Sequence, residues 1–156
     1  MIGIESTVVD LSGEVPVVLR PGGITPEDMR SVIGKVIYSG EIEGAPRCPG
    51  MKYTHYSPDA QVIVLEDITS FDKYSKKDEK TCVIAKNIAD KNISADIVYD
   101  AGQDDKEYAA RLFYLLRKAD EDGADTVFAE LPENNGIGIA LFNRLYKSAG
   151  GKGILK

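Results

Sequence analysis

The sequence contains no tryptophan, one histidine and two cysteines in 156 residues. Cys48 and Cys82 form no Cys-x-x-Cys pair, and the single His55 cannot complete a zinc site with them. Two isolated cysteines also make no disulfide framework, so we expect a reducing, cytoplasmic setting. Without a second histidine or a pair of carboxylates beside it, neither a metal site nor catalytic histidine chemistry is predicted.

Long apolar runs and an excess of positive charge are also missing. The longest apolar stretches, such as residues 81–85, are strand-length and far short of the ~18 residues of a membrane span. The N-terminus has no basic-then-apolar leader, and we expect no contact with a membrane. Nineteen Lys and Arg against 25 Asp and Glu give a formal charge of −6. This sign argues against a wide nucleic-acid-binding face.

The first 36 residues have the pattern of a β-β-α unit. Two short runs rich in β-branched residues, 6–11 and 15–19, predict strands joined by a tight turn. Thr25 then has the features of a helix N-cap, with Pro26 at the first helical position and Asp28 at capping-box spacing. The predicted apolar stripe of this helix is Met29, Val32, Ile33 and Val36. So short a unit is below the ~40 residues at which a fold stands alone, so we expect another body to cover it.

Residues 44–58, GAPRCPGMKYTHYSP, indicate a loop or linker. They contain three prolines, two glycines and no acidic residue, and they show neither helical nor strand period. Arg47, Lys52 and His55 therefore form a local positive patch in an acidic chain. Tyrosines beside cations suit a nucleotide. The alternative, equally weighted on the pattern alone, is a linker held to its own domain by its tyrosines.

From residue 60 onward, strands alternate with helices. Strands are predicted at 61–65, 81–85, 97–99 and 126–131, with a short helix near 69–76 and longer helices starting at Asp104 or Asp105 and at Asn135. The first long helix should bury Tyr108, Leu112, Leu115, Leu116 and Ala119 and end at Gly123. This alternation predicts an α/β fold, a mostly parallel sheet with helices on both faces.

Two glycine-containing motifs have a functional and an ordinary interpretation. Gly136-Ile-Gly138 imitates the start of a dinucleotide-binding loop, but Leu141 occupies the place of its third glycine, and no acidic residue follows about 20 positions later. We interpret it as a glycine-rich entry to a helix. The sequence RPGGIT, starting at Arg20, precedes a helix N-terminus and suits either an anion or an ordinary turn.

Four motifs in order, STVVDL, VVLRPGGIT, PGMKYTHYSP and NNGIGIALFNRL, give the chain a recognisable family signature. Together they resemble the long, two-domain form of threonylcarbamoyl-AMP synthase in the YrdC-like family, and PGMKYTHYSP is the most specific of them. The resemblance implies a nucleotidyltransferase that makes threonylcarbamoyl-AMP and pyrophosphate from L-threonine, bicarbonate and ATP. That is the first step towards the N6-threonylcarbamoyladenosine of tRNA.

The resemblance also implies binding residues, though no catalytic residue. Ser6 and Thr7 would line the threonine pocket. The implied ATP-binding residues are Arg20, Tyr56, Lys52 and His55. The chain departs from the family pattern at Cys48, usually Ser, at Thr54, usually basic, and at Ser57, usually Ala. Thr54 removes one expected cationic contact.

The domain organisation implied is a tail of the YrdC-like catalytic domain at 1–36, a linker at 37–60 and a Rossmann-like domain at 61–156. The family's main ATP-binding segments would precede this chain, so we expect ATP and magnesium to be held mainly by the missing catalytic domain and this portion to be inactive alone. It would act as an accessory lid. Its expected partners are the catalytic domain, ATP and L-threonine, with a homodimer through the exposed tail as another cover for that tail. The acidic charge argues against direct tRNA binding. The alternative function is an independent nucleotide-binding regulatory module or a protein-interaction domain.

Overall fold

The computed structural model describes residues 3–38, 58–151 and 154–155. Residues 3–38, here called the N-terminal segment, form a small three-stranded sheet. Its elements are β1 (Val8–Asp10), β2 (Val17–Arg20), α1 (Pro26–Ile33) and β3 (Ile37–Tyr38). β1 is antiparallel to β2, as expected for two strands joined by a turn, and β3 pairs with β2 in parallel at the start of the range predicted as linker.

Helix α1 begins as its sequence predicts. The Thr25 hydroxyl accepts a hydrogen bond from Asp28 N at 3.1 Å, and the Asp28 carboxylate accepts one from Thr25 N at 2.9 Å. This capping box satisfies N–H groups that the first helical turn leaves without partners. The predicted apolar stripe is only partly confirmed, because Val32 is 83% exposed and Ile33 52% exposed. Val36 is buried, but it lies beyond the end of α1 and is not part of a helix stripe.

Residues 58–151, here called the α/β domain, confirm the predicted fold class. The strands are β4 (Gln61–Leu65), β5 (Thr81–Ala85), β6 (Ile97–Asp100) and β7 (Thr126–Glu130), and the α-helices are α2 (Asp105–Glu121) and α3 (Gly136–Ser148). All four strands are parallel and lie in the order β4-β7-β5-β6. Leu155 covers part of the outer edge of β4, since its N–H donates to Val64 O at 3.0 Å.

Both faces of this sheet are covered, because successive strand residues point to opposite sides. Val62, Ile84 and Val127 face α2 and α3 in the larger core. Val83 and Phe128 belong to a smaller core on the other face. That face is covered by two 3-10 helices, Ile68–Lys73 and Ile88–Asp90; the first replaces the short helix predicted near 69–76.

Helix α2 has the predicted boundaries and buried face. Asp104 is its N-cap, accepting hydrogen bonds from Lys106 N at 2.9 Å and Glu107 N at 2.8 Å. Gly123, just beyond its end, has a φ of 73°, which favours glycine. All five residues predicted on its apolar face are buried. No helix in the described part of the chain has the length and apolar character needed to cross a bilayer.

The first described residues pack on the α/β domain. Ile4 is 7% exposed and belongs to the same core as α2 and α3. A Cβ at Gly3 would lie 2.3 Å from Ala110 O, so the backbone of Gly3 runs against that of α2. The chain therefore enters β1 directly from the surface of the α/β domain.

Candidate functional site

Three of the predicted site residues, Ser6, Thr7 and Arg20, lie together in the N-terminal segment. The antiparallel register pairs Val8 with Arg20, so the residues just before β1 lie beside the end of β2. Arg20 Nε donates a hydrogen bond to Ser6 O at 3.2 Å. Ser6 is exposed and Thr7 is half-buried. The cluster thus combines hydroxyl groups with a guanidinium at one edge of the small sheet.

The turn after Arg20 holds this cluster in place. A Cβ at Gly22 would lie 2.4 Å from both Glu5 O and Thr7 N, so only glycine allows the two backbones to pass so closely. The Thr7 hydroxyl donates to Ile24 O at 2.7 Å and accepts from Ile24 N at 3.2 Å. Both hydrogen bonds connect residues on either side of the turn, so Thr7 has a clear structural role there.

The helix N-terminus beside this turn carries its own negative charge. The Asp28 carboxylate, whose pKa is lowered by hydrogen bonds from the Thr25 backbone and hydroxyl, occupies the first turn of α1 together with Glu27. An anion at this N-terminus would have to compete with both. The ordinary interpretation of RPGGIT as a turn leading into a capped helix therefore fits the geometry. Arg20 is the cation that the turn adds to the cluster.

Glu5, immediately before the cluster, contacts the α/β domain. Its carboxylate accepts a charge-assisted hydrogen bond from Nε of Arg144 on α3, and the guanidinium of Arg144 is 5% exposed. Partial burial opposes ionisation of Glu5, but the hydrogen bond with Arg144, its own backbone and the charges of Arg144 and Arg20 outweigh it and hold its pKa below the usual value.

Sequence reasoning missed both Glu5 and Arg144. The signal was present in α3, where Arg144 follows Leu141 by three positions and Ala140 by four, and so falls on the apolar stripe. A charged residue inside a buried stripe requires a partner. The partner is 139 positions away along the chain, so no local pattern identifies it.

The predicted linker residues lie outside the described residues. This applies to Lys52, His55 and Tyr56, and to the departures at Cys48 and Thr54. Their implied roles remain predictions. The other cysteine, Cys82, is fully buried in β5, and burial together with the negative charge of Asp122 raises its thiol pKa to about 12. A thiol of this kind is inert as a nucleophile near neutral pH.

A cavity of about 410 Å³ opens where the strands of the α/β domain end and α2 and α3 begin. This edge of a parallel sheet is where such folds bind ligands. Its lining has two lysines, Lys86 and Lys106, against four acidic residues, Asp104, Asp105, Glu130 and Glu133. Lys86 Nζ lies 2.6 Å from Asp105 Oδ1. The described lining is therefore net acidic, which does not favour the phosphates of a dinucleotide.

Gly138 explains the glycine-rich entry to α3. A Cβ there would lie 2.0 Å from Glu133 O and 2.6 Å from Asp105 Oδ2, so this glycine is required for packing. Leu141, one turn later, is fully buried. Both findings support the interpretation as a helix entry. In residues 3–38, 58–151 and 154–155, no group of three or more His, Cys, Asp or Glu is arranged to hold a metal ion.

The fold and this cluster define a small parallel α/β domain joined to a sheet fragment that carries the Ser-Thr and Arg motifs. Residues 24–150 match the family described as "Threonylcarbamoyl-AMP synthase, C-terminal domain". The match covers most of the chain, and the chain belongs to this family.

Curated relatives and solved structures agree with the family match. The chain is 40% identical over 161 residues to a threonylcarbamoyl-AMP synthase of Pyrococcus abyssi, covering 96% of the chain and 46% of the relative. A Bacillus subtilis protein of the same name is 36% identical, with 97% and 46% covered. The crystal structure of P. abyssi Sua5 complexed with L-threonine superposes with a TM-score of 0.83 at 37% identity, over 96% of this chain and 46% of that one. The chain thus spans about half the length of the relatives it matches, as the four motifs predicted for a C-terminal portion.

Proposed function

We propose that this chain provides the C-terminal, accessory portion of an L-threonylcarbamoyladenylate synthase. The overall reaction would convert L-threonine, bicarbonate and ATP into threonylcarbamoyl-AMP and pyrophosphate, for the modification of tRNA. The observation that carries the proposal is the meeting of Ser6, Thr7 and Arg20 at one edge of the small sheet, in a chain of this family.

The chemistry of the cluster suits the two substrates. Hydroxyl groups of Ser6 and Thr7 would line the pocket for L-threonine, and the guanidinium of Arg20 would contact an ATP phosphate, with which it forms strong charge-assisted hydrogen bonds. The solved P. abyssi relative, described as complexed with L-threonine, supports this assignment. Because Thr7 also braces the turn, its removal would disturb Ser6 and Arg20 as well.

The linker would complete the nucleotide site. Lys52, His55 and Tyr56 would reach the nucleotide from the proline-rich segment and shield it from water. A second solved structure of the P. abyssi relative carries alanine in place of an adjacent histidine and tyrosine, and it has a TM-score of 0.79. This chain has one histidine, His55, and Tyr56 follows it directly.

The exposed apolar side chains of the N-terminal segment fit a docking surface for the catalytic portion. They are Leu11 at 69%, Ile24 at 58%, Val32 at 83%, Ile33 at 52% and Ile37 at 44% exposure. Covering such a surface removes apolar area from water and stabilises the complex. In the absence of the catalytic portion, a homodimer through the same surface would be the alternative cover.

The remaining chemistry would belong to the catalytic portion. ATP with magnesium would be bound mainly there, and the chain alone would be inactive, because adenylation needs all of its phosphate contacts at once. The reaction would take place in the cytoplasm. The net charge of −6 argues against direct contact of this chain with tRNA.

A two-component assay tests the proposal. The 156-residue chain is mixed with the separately produced N-terminal portion of the P. abyssi relative, and threonine-dependent pyrophosphate release is measured. We expect a gain over either part alone and co-elution of the two. Val32→Asp should abolish both, whereas the matched Val98→Asp, on the α/β domain, should leave both unchanged. No gain over the catalytic portion alone would overturn the proposal.

A calorimetric titration with ATP separates this function from the alternative of an independent nucleotide sensor. In the proposed function, ATP binding by the two-component complex weakens in Arg20→Ala and in Tyr56→Ala. Binding by the chain alone that survives both substitutions would favour the sensor. The excess of acidic residues in the lining of the 410 Å³ cavity argues against that outcome.

A further inference from the structure

Arg144 connects the α/β domain to the segment that carries Ser6 and Thr7. Its guanidinium is almost completely buried on α3, where Nη1 donates to Asn143 Oδ1 at 2.9 Å and Nε donates to the carboxylate of Glu5. The third nitrogen, Nη2, is buried and has no hydrogen-bond partner among the residues that the structure describes. Burying a guanidinium with one nitrogen unsatisfied is costly, and an apolar residue would pack on α3 at less cost. The position therefore favours a role beyond the packing of α3.

Glu5 is held at the surface of the α/β domain by its neighbours. Ile4 lies in the core beneath α2 and α3, and Gly3 lies against the backbone of Ala110. Glu5 itself is about one third exposed, so its carboxylate lies at the boundary between the domain and solvent. The hydrogen bond from Arg144 gives this short segment a defined direction as it leaves the domain.

Residues 5–7 are held on their other side by the turn after β2. The backbone of Gly22 passes so close to Glu5 O and Thr7 N that no side chain fits between them, and Arg20 donates to Ser6 O at 3.2 Å. The segment is thus fixed between α3 and this turn. A shift of Glu5 would be passed directly to the adjacent Ser6.

We infer that Arg144 is a positioning residue for the threonine site: through Glu5, the α/β domain fixes the backbone that presents Ser6 and Thr7 to L-threonine. The inference rests on the proposed function. It gives the α/β domain, through Arg144 and Glu5, a part in substrate binding. Binding and reaction depend steeply on geometry, and a displacement of about 1 Å costs up to roughly 100-fold.

The test uses this full chain joined after the N-terminal portion of the P. abyssi relative, with KM for L-threonine, KM for ATP and kcat measured separately. Arg144→Met keeps the apolar stem and removes the charge, and Glu5→Gln removes the partner charge. We expect each to raise KM for L-threonine by between about 10- and 100-fold, with a smaller change in KM for ATP.

Two further variants separate positioning from stability. The double variant Glu5→Gln with Arg144→Met should be no worse than either single change, because both remove one contact. Arg144→Lys retains the charge and should recover part of the loss. Arg117→Met, on the exposed side of α2, is the matched control and should leave all three constants unchanged. Loss of folded protein lowers the active fraction and hence the apparent kcat, but it does not change KM.

The outcomes distinguish the two proposals. If the joined parent enzyme is active and Arg144→Met lowers only the amount of folded enzyme, with KM for L-threonine unchanged, Arg144 is a structural residue and the inference is overturned. Additive effects of the two single changes would also overturn it. If the parent enzyme itself shows no threonine-dependent pyrophosphate release, the proposed function fails and this inference fails with it.

Discussion

The N-terminal segment and the α/β domain differ in how far their apolar side chains are buried. In the α/β domain, Tyr108, Leu112 and Phe128 are fully buried between the sheet and its covering helices. In the N-terminal segment, Leu11 and Val32 are 69% and 83% exposed. The α/β domain therefore has a core of its own, whereas the N-terminal segment leaves several large apolar side chains in contact with water.

The largest expected difference concerns core truncation. Phe128→Ala removes a ring that packs against Phe71 at a centroid distance of 5.7 Å, and it should cost about 3–5 kcal/mol of unfolding free energy. Val32→Ala should change it by less than about 0.5 kcal/mol, because this side chain already contacts water. Urea unfolding of the 156-residue chain measures both. Similar losses at the two sites would break the comparison.

Glycine substitutions should show a smaller contrast. Gly138→Ala forces a methyl group towards Glu133 O and should destabilise the α/β domain by about 1–3 kcal/mol. Gly13→Ala, in the turn between β1 and β2, has its nearest neighbouring atom at 3.9 Å and should be neutral or slightly stabilising. The thermal unfolding midpoint of each variant shows whether the substitution stabilises or destabilises the protein. A destabilising Gly13→Ala would indicate a tighter N-terminal segment than the distances describe.

The helix N-caps offer a third comparison, because removing an N-cap side chain costs about 1 kcal/mol of helix or protein stability. Asp104→Ala removes two hydrogen bonds at the start of α2 and should lower the stability of the whole α/β domain. Thr25→Ala should instead leave the global unfolding midpoint unchanged and speed amide hydrogen exchange within α1 alone, because α1 buries little. The unfolding midpoint and the hydrogen-exchange rates together test this comparison. If Thr25→Ala lowered the global unfolding midpoint, both regions would unfold as one unit.

Acidification should give the smallest difference. Backbone and hydroxyl hydrogen bonds from Thr81 lower the pKa of Asp96, and those from Thr25 lower the pKa of Asp28. A carboxyl with a lowered folded pKa contributes stability above its unfolded pKa, and this contribution disappears as the pH falls through the folded pKa. As the pH falls below about 4, the unfolding midpoint should decrease less steeply in Asp96→Asn than in the unchanged chain. Asp28→Asn should follow the unchanged chain. Equal flattening by both would contradict the comparison.

Local features of the fold were predictable, and distant contacts were not. The capping box at Thr25, the strand at Thr81–Ala85 and the buried face of α2 follow from side chains within a few positions of one another, so their patterns are visible in the sequence. The short helix predicted near 69–76 is a 3-10 helix, Ile68–Lys73, which ends three residues earlier than predicted. Asp67 caps its start, but a six-residue stretch containing Thr and Ser has little tendency to continue.

The candidate site was predictable only in part, for the same reason. Ser6, Thr7 and Arg20 were found through motifs, and their proximity follows from a hairpin of neighbouring strands. The contact between Glu5 and Arg144 joins residues 139 positions apart, and the acidic lining of the cavity depends on which strands are adjacent. Such information lies in tertiary packing, which a single sequence does not display.

The position of β7 between β4 and β5 has a consequence for synthesis on the ribosome. Until residue 130 has been translated, β4 and β5 have no strand between them, and the emerging chain carries unpaired sheet edges. Ile4 precedes all of these elements in the chain, and it is buried only after α2 and α3 have formed. A sheet whose central strand is synthesised last forms slowly. Until it forms, its partly folded intermediates expose apolar surface and unpaired strand edges that favour aggregation. The nascent α/β domain should therefore depend on chaperones until β7 and α3 have emerged.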